Sequence, residues 1–429
     1  MRALKMAMIG LGQGAAGTLP ALDAMPEIDL VAGADLNPAM RAGFAEHYPN
    51  ARVYDGVAGV CRDPQVEAVW VATPNRFHCE HAIEAMRNGK HVIVEKPMAI
   101  SLAEADRMVE TAERYGVTLL AGHTRSLSIW NRAMRRIILS GVIGPLRAVH
   151  IWAYTDWMIR PRTPDELDPA QGGGIVFRQG PHQIDTLRLL GGGKLRSVRG
   201  MTGSWMEARP IPGYFTAYLE FEDGTPATIM HNGYGYFAMA SLYPWVHEKR
   251  GYSDADRAAL RRELVRGERD ESTEKEIYRV GGARDPVADA KANPAAPYPW
   301  KPFDLGPVEV ACERGMMLPA QWGLGVYGDD GPRDLDLRGL QRPEPDPSGG
   351  LSIAILEELY GAVVLGKRAY HTAAWGRATL EASLAVMQSA AERREIMLTR
   401  QVAMPDDYDA ALDAGIALIA GDTRAVNGS

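Results

Sequence analysis

Along roughly the first 120 residues, short apolar runs alternate with stretches of helical periodicity. The runs at 4–9, 30–34, 66–72, 91–94 and 117–121 read as strands buried on both faces. Between them, residues 78–88 read as a helix closed by Gly89. Residues 101–115 read as a second, capped by Ser101 with Glu104 three positions on and stopped at Gly116. Such strands interleaved with helices predict an α/β fold with a parallel, doubly wound sheet.

Beyond a helix expected over 127–140 the period changes. Residues 146–154, 195–206, 214–221 and 227–236 alternate apolar with polar, and Asp223-Gly224 marks a turn. This predicts a second α/β domain with a large, mainly antiparallel open sheet. Residues 241–347 are rich in charge, Pro and Gly, with one helical patch near 255–266, and read as an insertion or lid rather than a third core. Amphipathic helices return at 351–365 and 375–394, and the tail after Pro405 reads as a helix with a frayed end.

Composition narrows the function. The 429 residues, 46% of them hydrophobic, can supply sizeable cores. A net charge of -7 gives no general attraction to nucleic acid or anionic membranes, so neither is expected as a partner and any cationic site must be local. Cys61, Cys79 and Cys312 are scattered without metal-ligand spacing, so no metal is expected, and a reducing, cytoplasmic location is. The opening residues lack a leader's cleavage pattern, and no apolar stretch is long enough to span a bilayer.

The stretch MAMIGLGQGAAGTLPAL carries Gly10, Gly12, Gln13, Gly14 and Ala15 directly after a strand and at the opening of a helix. Gly10 permits a tight turn, Gly12 lets backbone approach a pyrophosphate, and Ala15 lets helix pack on strand. Glycine-rich turns also occur without a ligand. Asp35 tips the balance, because it ends the next strand about 20 residues beyond Ala15, where a carboxylate binds both ribose hydroxyls of NAD and repels the 2'-phosphate of NADP. Leu36 follows, with neither Arg nor Ser beside Asp35, so NAD is expected over NADP.

A second chemical stretch is GGGIVFRQGPHQID, residues 172–185, where Arg178 and His182 stand one helical turn apart. Arg178 either presents its fork to an anion or turns away to pair with Asp185 or another carboxylate. His182 is either a proton shuttle or a satisfied pocket histidine. In YTDWMIRPRTPDEL, Trp157 offers a flat wall to a ring beside Tyr154, and Arg160 and Arg162 could hold a second anionic group.

With ATPNRFHCEHAIEAMRNGKHVIVEKP added, the chain resembles the Gfo/Idh/MocA oxidoreductases over the nucleotide domain and, apart from the insertion, through the second. The resemblance implies a Rossmann domain over 1–124 and a substrate and oligomerisation domain over 125–429. It implies that Thr73, Pro74, Asn75 and His78 lie on the nicotinamide side, and that Lys96, between Glu95 and Pro97, is the catalytic lysine. A lysine suits this role because partial desolvation moves its pKa readily. Family members commonly read GGGxxxDxGxHxxD, with the aspartate and histidine lining the pocket. Here Arg178 replaces that aspartate, which points to an anionic substrate. The open sheet face usually meets another subunit in this family, implying a homodimer or homotetramer.

FRQGPHQIDTLRLLGGG, NGYGYF, WGLGVYGDDGPR and AAWGRATLEASLAVMQSAAERREIML further resemble a subgroup that oxidises phthalate 4,5-cis-dihydrodiol to 4,5-dihydroxyphthalate. A small, cyclic, anionic diol is the substrate so implied. Sugar, cyclitol or uronate oxidation and non-catalytic NAD-dependent sensing remain the alternatives.

Overall fold

In the computed structural model, residues 2–243, 252–292, 306–340 and 351–419 are described. Six parallel strands form the first sheet: β1 (Leu4–Ile9), β2 (Ile28–Ala34), β3 (Arg52–Tyr54), β4 (Ala68–Val71), β5 (His91–Glu95) and β6 (Leu119–Gly122). Their order, β3-β2-β1-β4-β5-β6, is that of a doubly wound nucleotide fold, with the switch between β1 and β4. Helices α1 (Gln13–Asp23), α2 (Pro38–His47), α3 (Val57–Arg62), α4 (His78–Arg87) and α5 (Leu102–Tyr115) link the strands. The apolar runs located five of the strands. The three-residue edge strand β3, half-buried throughout, lies below what periodicity can register. Ser101 caps α5 by accepting from Glu104 N at 3.2 Å, and Gly116 ends it in the left-handed region at φ 63°.

The second sheet has nine strands: β7 (Leu146–Tyr154), β8 (Leu195–Gly203), β9 (Tyr214–Phe221), β10 (Pro226–Asn232), β11 (Val308–Cys312), β12 (Gly315–Ala320), β13 (Gly323–Gly328), β14 (Gly331–Asp336) and β15 (Ile396–Met397). They run in the order β14-β13-β12-β11-β7-β10-β9-β8-β15, and only β7 and β10 pair in parallel among the described residues. Helices α6 (Ile129–Ser140) and α7 (Ile175–Leu190) follow the chain into this half, and α7 packs on β7, β9 and β10.

The stretch expected as an insertion or lid is more structured than its composition suggests. It forms α8 (Asp254–Arg266), α9 (Glu271–Glu276) and α10 (Pro286–Ala292), then adds β11 to β14 to the large sheet. β12, β13 and β14 escape the apolar pattern because they carry Gly315, Gly323, Gly325, Gly328 and Gly331 in place of alternating apolar residues, whereas β11 alternates but is only five residues long.

The remaining helices are α11 (Leu351–Val364), α12 (Ala373–Glu392) and α13 (Leu412–Ile419). One face of the parallel sheet, with Leu4, Met6, Trp70, Ile93 and Leu120, packs with Val280, Val287, Ile355, Leu359 and Tyr408 from far along the chain. α10 lies on α1, and Asp285 meets His47 at 2.8 Å. Among the described residues no helix is long and apolar enough to cross a membrane, and no cluster of His, Cys, Asp or Glu is suited to a metal ion.

Candidate active site

Backbone sterics build the nucleotide end. Gly10 has φ 88°, and a Cβ there would lie 2.8 Å from the Ala72 carbonyl oxygen, so only glycine fits. Gly12 caps α1 with no side-chain hydrogen bond, and a Cβ on it would meet nothing within 4 Å. Gln13 and Gly14 are exposed at this mouth while Ala15 is buried. First-turn N–H groups without a side-chain cap, facing open space, fit a pyrophosphate. Asp35 accepts from Leu11 N and from Asn37 N, each at 2.8 Å, which fixes its carboxylate at the rim of that loop. Arg41 donates from Nη1 to the carbonyls of Asp35 and Leu36, both at 2.9 Å. A cation absent beside Asp35 in the sequence is therefore present in space.

Two turns at the carboxyl ends of β4 and β5 face the second domain. His78 lies with Nδ1 2.8 Å from the Pro97 carbonyl and Nε2 2.7 Å from the Thr73 carbonyl, and so clasps the Thr73–Asn75 turn to the turn holding Lys96. It is fully buried beneath those turns. Thr73 Oγ1 pairs with His81 at 3.0 Å, Pro74 is exposed, and the Lys96–Pro97 peptide is cis. Asn75 donates to the Gly172 carbonyl at 2.8 Å, so this turn joins the two domains. The three glycines explain the closeness. A Cβ on Gly172 would approach Ile100 to 2.5 Å, one on Gly173 would strike the Asp165 carbonyl at 2.5 Å, and Gly174 starts α7 at φ 90°.

Lys96 is half-buried, and burial, with the charges of Arg178, Arg125 and Arg162, pushes its pKa down to about 8 against the opposing Glu95. Glu95 accepts from Trp70 Nε1 at 3.2 Å, and burial raises its pKa. His182 is buried with Nδ1 unpartnered. Burial, and then Lys96, Arg125, His123 and His231, hold its pKa well below the usual histidine value. It is therefore a neutral imidazole beside the lysine.

Arg178 pairs with a carboxylate, but not with Asp185. Its Nη2 forms an ion pair with Glu166 Oε1 at 2.8 Å. Asp185 is wholly buried and accepts from Trp375 Nε1 at 2.6 Å, Thr379 Oγ1 at 3.1 Å and Ser126 Oγ, tying α7 to α12 and to the loop after β6. Against the cost of burial, Arg178, Arg162 and Lys275 hold Glu166 down to about 2.

Three expected substrate contacts are placed elsewhere. Tyr154 shares the open face of β7 with His150 and Trp152, while Val149, Ile151 and Ala153 face the helices, so strand alternation turns it away from His182. Trp157 is only 1% exposed and its ring is covered by Arg162 at 4.2 Å, so it is packed core rather than an open wall. Arg160 is exposed and pairs with Asp156 at 2.6 Å. Arg162 is the cation of this loop that reaches the site, ion-paired to Glu166 at 3.7 Å.

Sequence reasoning missed His123, Arg125, Glu166 and Lys275. The first two follow the carboxyl end of β6, where open α/β sheets bind ligands, so their place was readable. Glu166 closes a Thr163-x-x-Glu166 capping box, also visible in sequence. Nothing in the sequence announces Lys275, which stands 109 positions beyond its partner.

Comparison with known proteins decides the family. Residues 4–123 match the model of an oxidoreductase family with an NAD-binding Rossmann fold, and residues 131–237 match the GFO/IDH/MocA C-terminal domain. The chain belongs to the GFO/IDH/MocA oxidoreductases. It is 30% identical over 90% of its length, and 94% of the relative's, to a 1-carboxy-3-chloro-3,4-dihydroxycyclohexa-1,5-diene dehydrogenase of Comamonas testosteroni. A crystal structure from Bordetella bronchiseptica RB50 superposes with TM-score 0.81 at 33% identity, covering 92% of this chain and 100% of that one. Levoglucosan dehydrogenase, in complex with NADH and levoglucosan, shares the fold with TM-score 0.67 at 18% identity, over 92% of this chain and 99% of its own. As a GFO/IDH/MocA member the chain is an NAD(P)-dependent oxidoreductase acting on CH–OH groups.

Proposed function

We infer that this dehydrogenase oxidises a cyclic cis-diol bearing carboxylates, with NAD as acceptor, and that its reaction is phthalate 4,5-cis-dihydrodiol to 4,5-dihydroxyphthalate. One observation carries the reading: Arg178, Arg162 and Arg125 lie close enough to Lys96 to lower its pKa against Glu95, and Arg178 and Arg162 meet Lys275 at a single carboxylate, Glu166. Such a site favours an anionic ring over a neutral sugar. The Comamonas relative, named for a carboxylated dihydroxycyclohexadiene, supports the same chemistry.

NAD, when bound, supplies the hydride acceptor. Lys96 in its neutral form takes the proton from the reacting hydroxyl, and neutral His182 orients that hydroxyl. The Thr73 and Lys96 turns, clasped by His78, hold the base against the ring carbon that loses hydride. Loss of hydride and proton leaves a hydroxy-dienone that tautomerises to an aromatic catechol, so the protein needs mainly to position and deprotonate.

Asp35 supports NAD over NADP, because its carboxylate repels a 2'-phosphate. The exposed Met201, Tyr218, Met316 and Tyr327 on the open sheet face support a homodimer or homotetramer, which light scattering would reveal. The same cations would also suit a uronate.

The test is NADH formation with the phthalate cis-4,5-dihydrodiol, benzene cis-dihydrodiol, uronates and neutral sugars. A kcat/KM for the dicarboxylate at least about tenfold above that for benzene cis-dihydrodiol is expected, with neither uronates nor neutral sugars turned over. Turnover confined to uronates or neutral sugars would replace this reading by the corresponding sugar dehydrogenase.

A further inference from the structure

We propose that the segment between the two runs of the large sheet completes the anion-binding end of the pocket: Lys275 on α9, acting through Glu166, positions Arg178 to take a substrate carboxylate. This rests on the carboxylated-diol reading and names residues that set its specificity.

Glu166 is 3% exposed, and Thr163 N donates to its Oε2 at 3.0 Å. That oxygen also accepts from Lys275, while Oε1 is ion-paired with Arg178 at 2.8 Å and with Arg162 at 3.7 Å. One carboxylate thus meets three cations, leaving a local surplus of positive charge. A surplus held away from water is costly until an anion arrives.

The three cations are not equally free. Arg162 is stacked on Trp157, donates twice to the Trp157 carbonyl at 3.3 and 3.2 Å, and has a side chain only 10% exposed. Lys275 is held by its short helix, which is anchored on the same loop: Glu271 accepts from Arg162 N at 2.8 Å and from Arg209, and nearby Arg269 donates to the Ile159 carbonyl at 2.6 Å. Arg178 has the most open side chain of the three, at 27%, and meets Glu166 through Nη2. Glu166, pinned by Arg162 and Lys275, leaves the rest of that fork to a ligand. Without Lys275, Glu166 would draw Arg178 more tightly and compete with the substrate.

The experiment is steady-state kinetics with NAD on phthalate cis-4,5-dihydrodiol and on neutral benzene cis-dihydrodiol, for wild type, Lys275→Met and Lys275→Arg. Lys275→Met should raise KM for the carboxylated diol about ten- to hundredfold, the worth of a charge-assisted hydrogen bond, with kcat nearly unchanged. KM for NAD and kinetics on the neutral diol should stay within about twofold, and Lys275→Arg should restore the carboxylate preference. Equal losses on both diols, unchanged KM, or failure of the arginine to rescue would overturn the proposal. A wild type without preference for the carboxylated diol would instead sink the underlying reading, and this one with it.

Discussion

The two ends of the active site are built differently. The nucleotide end comes from one continuous piece of chain, residues 10–97, whose turns all fall at the carboxyl ends of parallel strands. The substrate end is gathered from Arg125, Arg162, Glu166, Arg178 and Lys275, on four separate loops and helices. The first is set by backbone geometry that tolerates only glycine at key points. The second is set by charges that balance one another.

That contrast can be tested, beginning with the residue both ends share. Lys96→Ala should lower kcat/KM about a thousandfold while NAD binding, measured by calorimetry, persists. Wild-type turnover by this variant would remove the lysine from the mechanism. Asp35→Ser should cost about tenfold or more in kcat/KM with NAD, through the lost ribose contacts, and should raise activity with NADP because the carboxylate that repels its 2'-phosphate is gone. If both cofactors suffer equally, Asp35 is a loop brace and not a selector.

Gly172→Ala tests the seam between the ends. Its φ of 77° and the 2.5 Å approach to Ile100 predict a loss of about 1–3 kcal/mol, seen as a lower midpoint in urea. Smaller still are shifts in the pH profile. As the proposed base Lys96 must be deprotonated, so kcat/KM should rise with pH through about 8. Arg178→Met removes a neighbouring cation and should move that rise to higher pH, whereas Glu95→Gln removes the opposing anion and should move it lower. Movement of both variants in one direction would contradict these roles.

The same contrast accounts for what the sequence disclosed. Gly10 and Asp35 were legible because strand, turn and spacing place them without knowledge of the rest of the chain, whereas Asn75 and Lys96 were marked out by the family resemblance of their turns. Arg178 was legible as a cation facing a site, while its partner was not, because Glu166 lies on a different loop. Tyr154 misled because a stretch leaving a strand does not declare which face its last residue takes. β12 to β14 were hidden by glycine, β11 by its shortness, and Lys275 by distance along the chain. Long-range electrostatics leave no periodic trace.

The shared packing of the parallel sheet carries a consequence for biosynthesis. The face with Leu4, Met6 and Trp70 is completed by Val280, Val287, Leu359 and Tyr408, and Ala121 N donates to the His371 carbonyl at 3.0 Å. On the ribosome, the six-stranded unit would emerge with that apolar face uncovered and wait for most of the remaining chain. A fragment ending near residue 124 should therefore aggregate, where a self-contained nucleotide domain would fold and bind NAD unaided. The nascent protein's need for protection lasts until its final quarter is made.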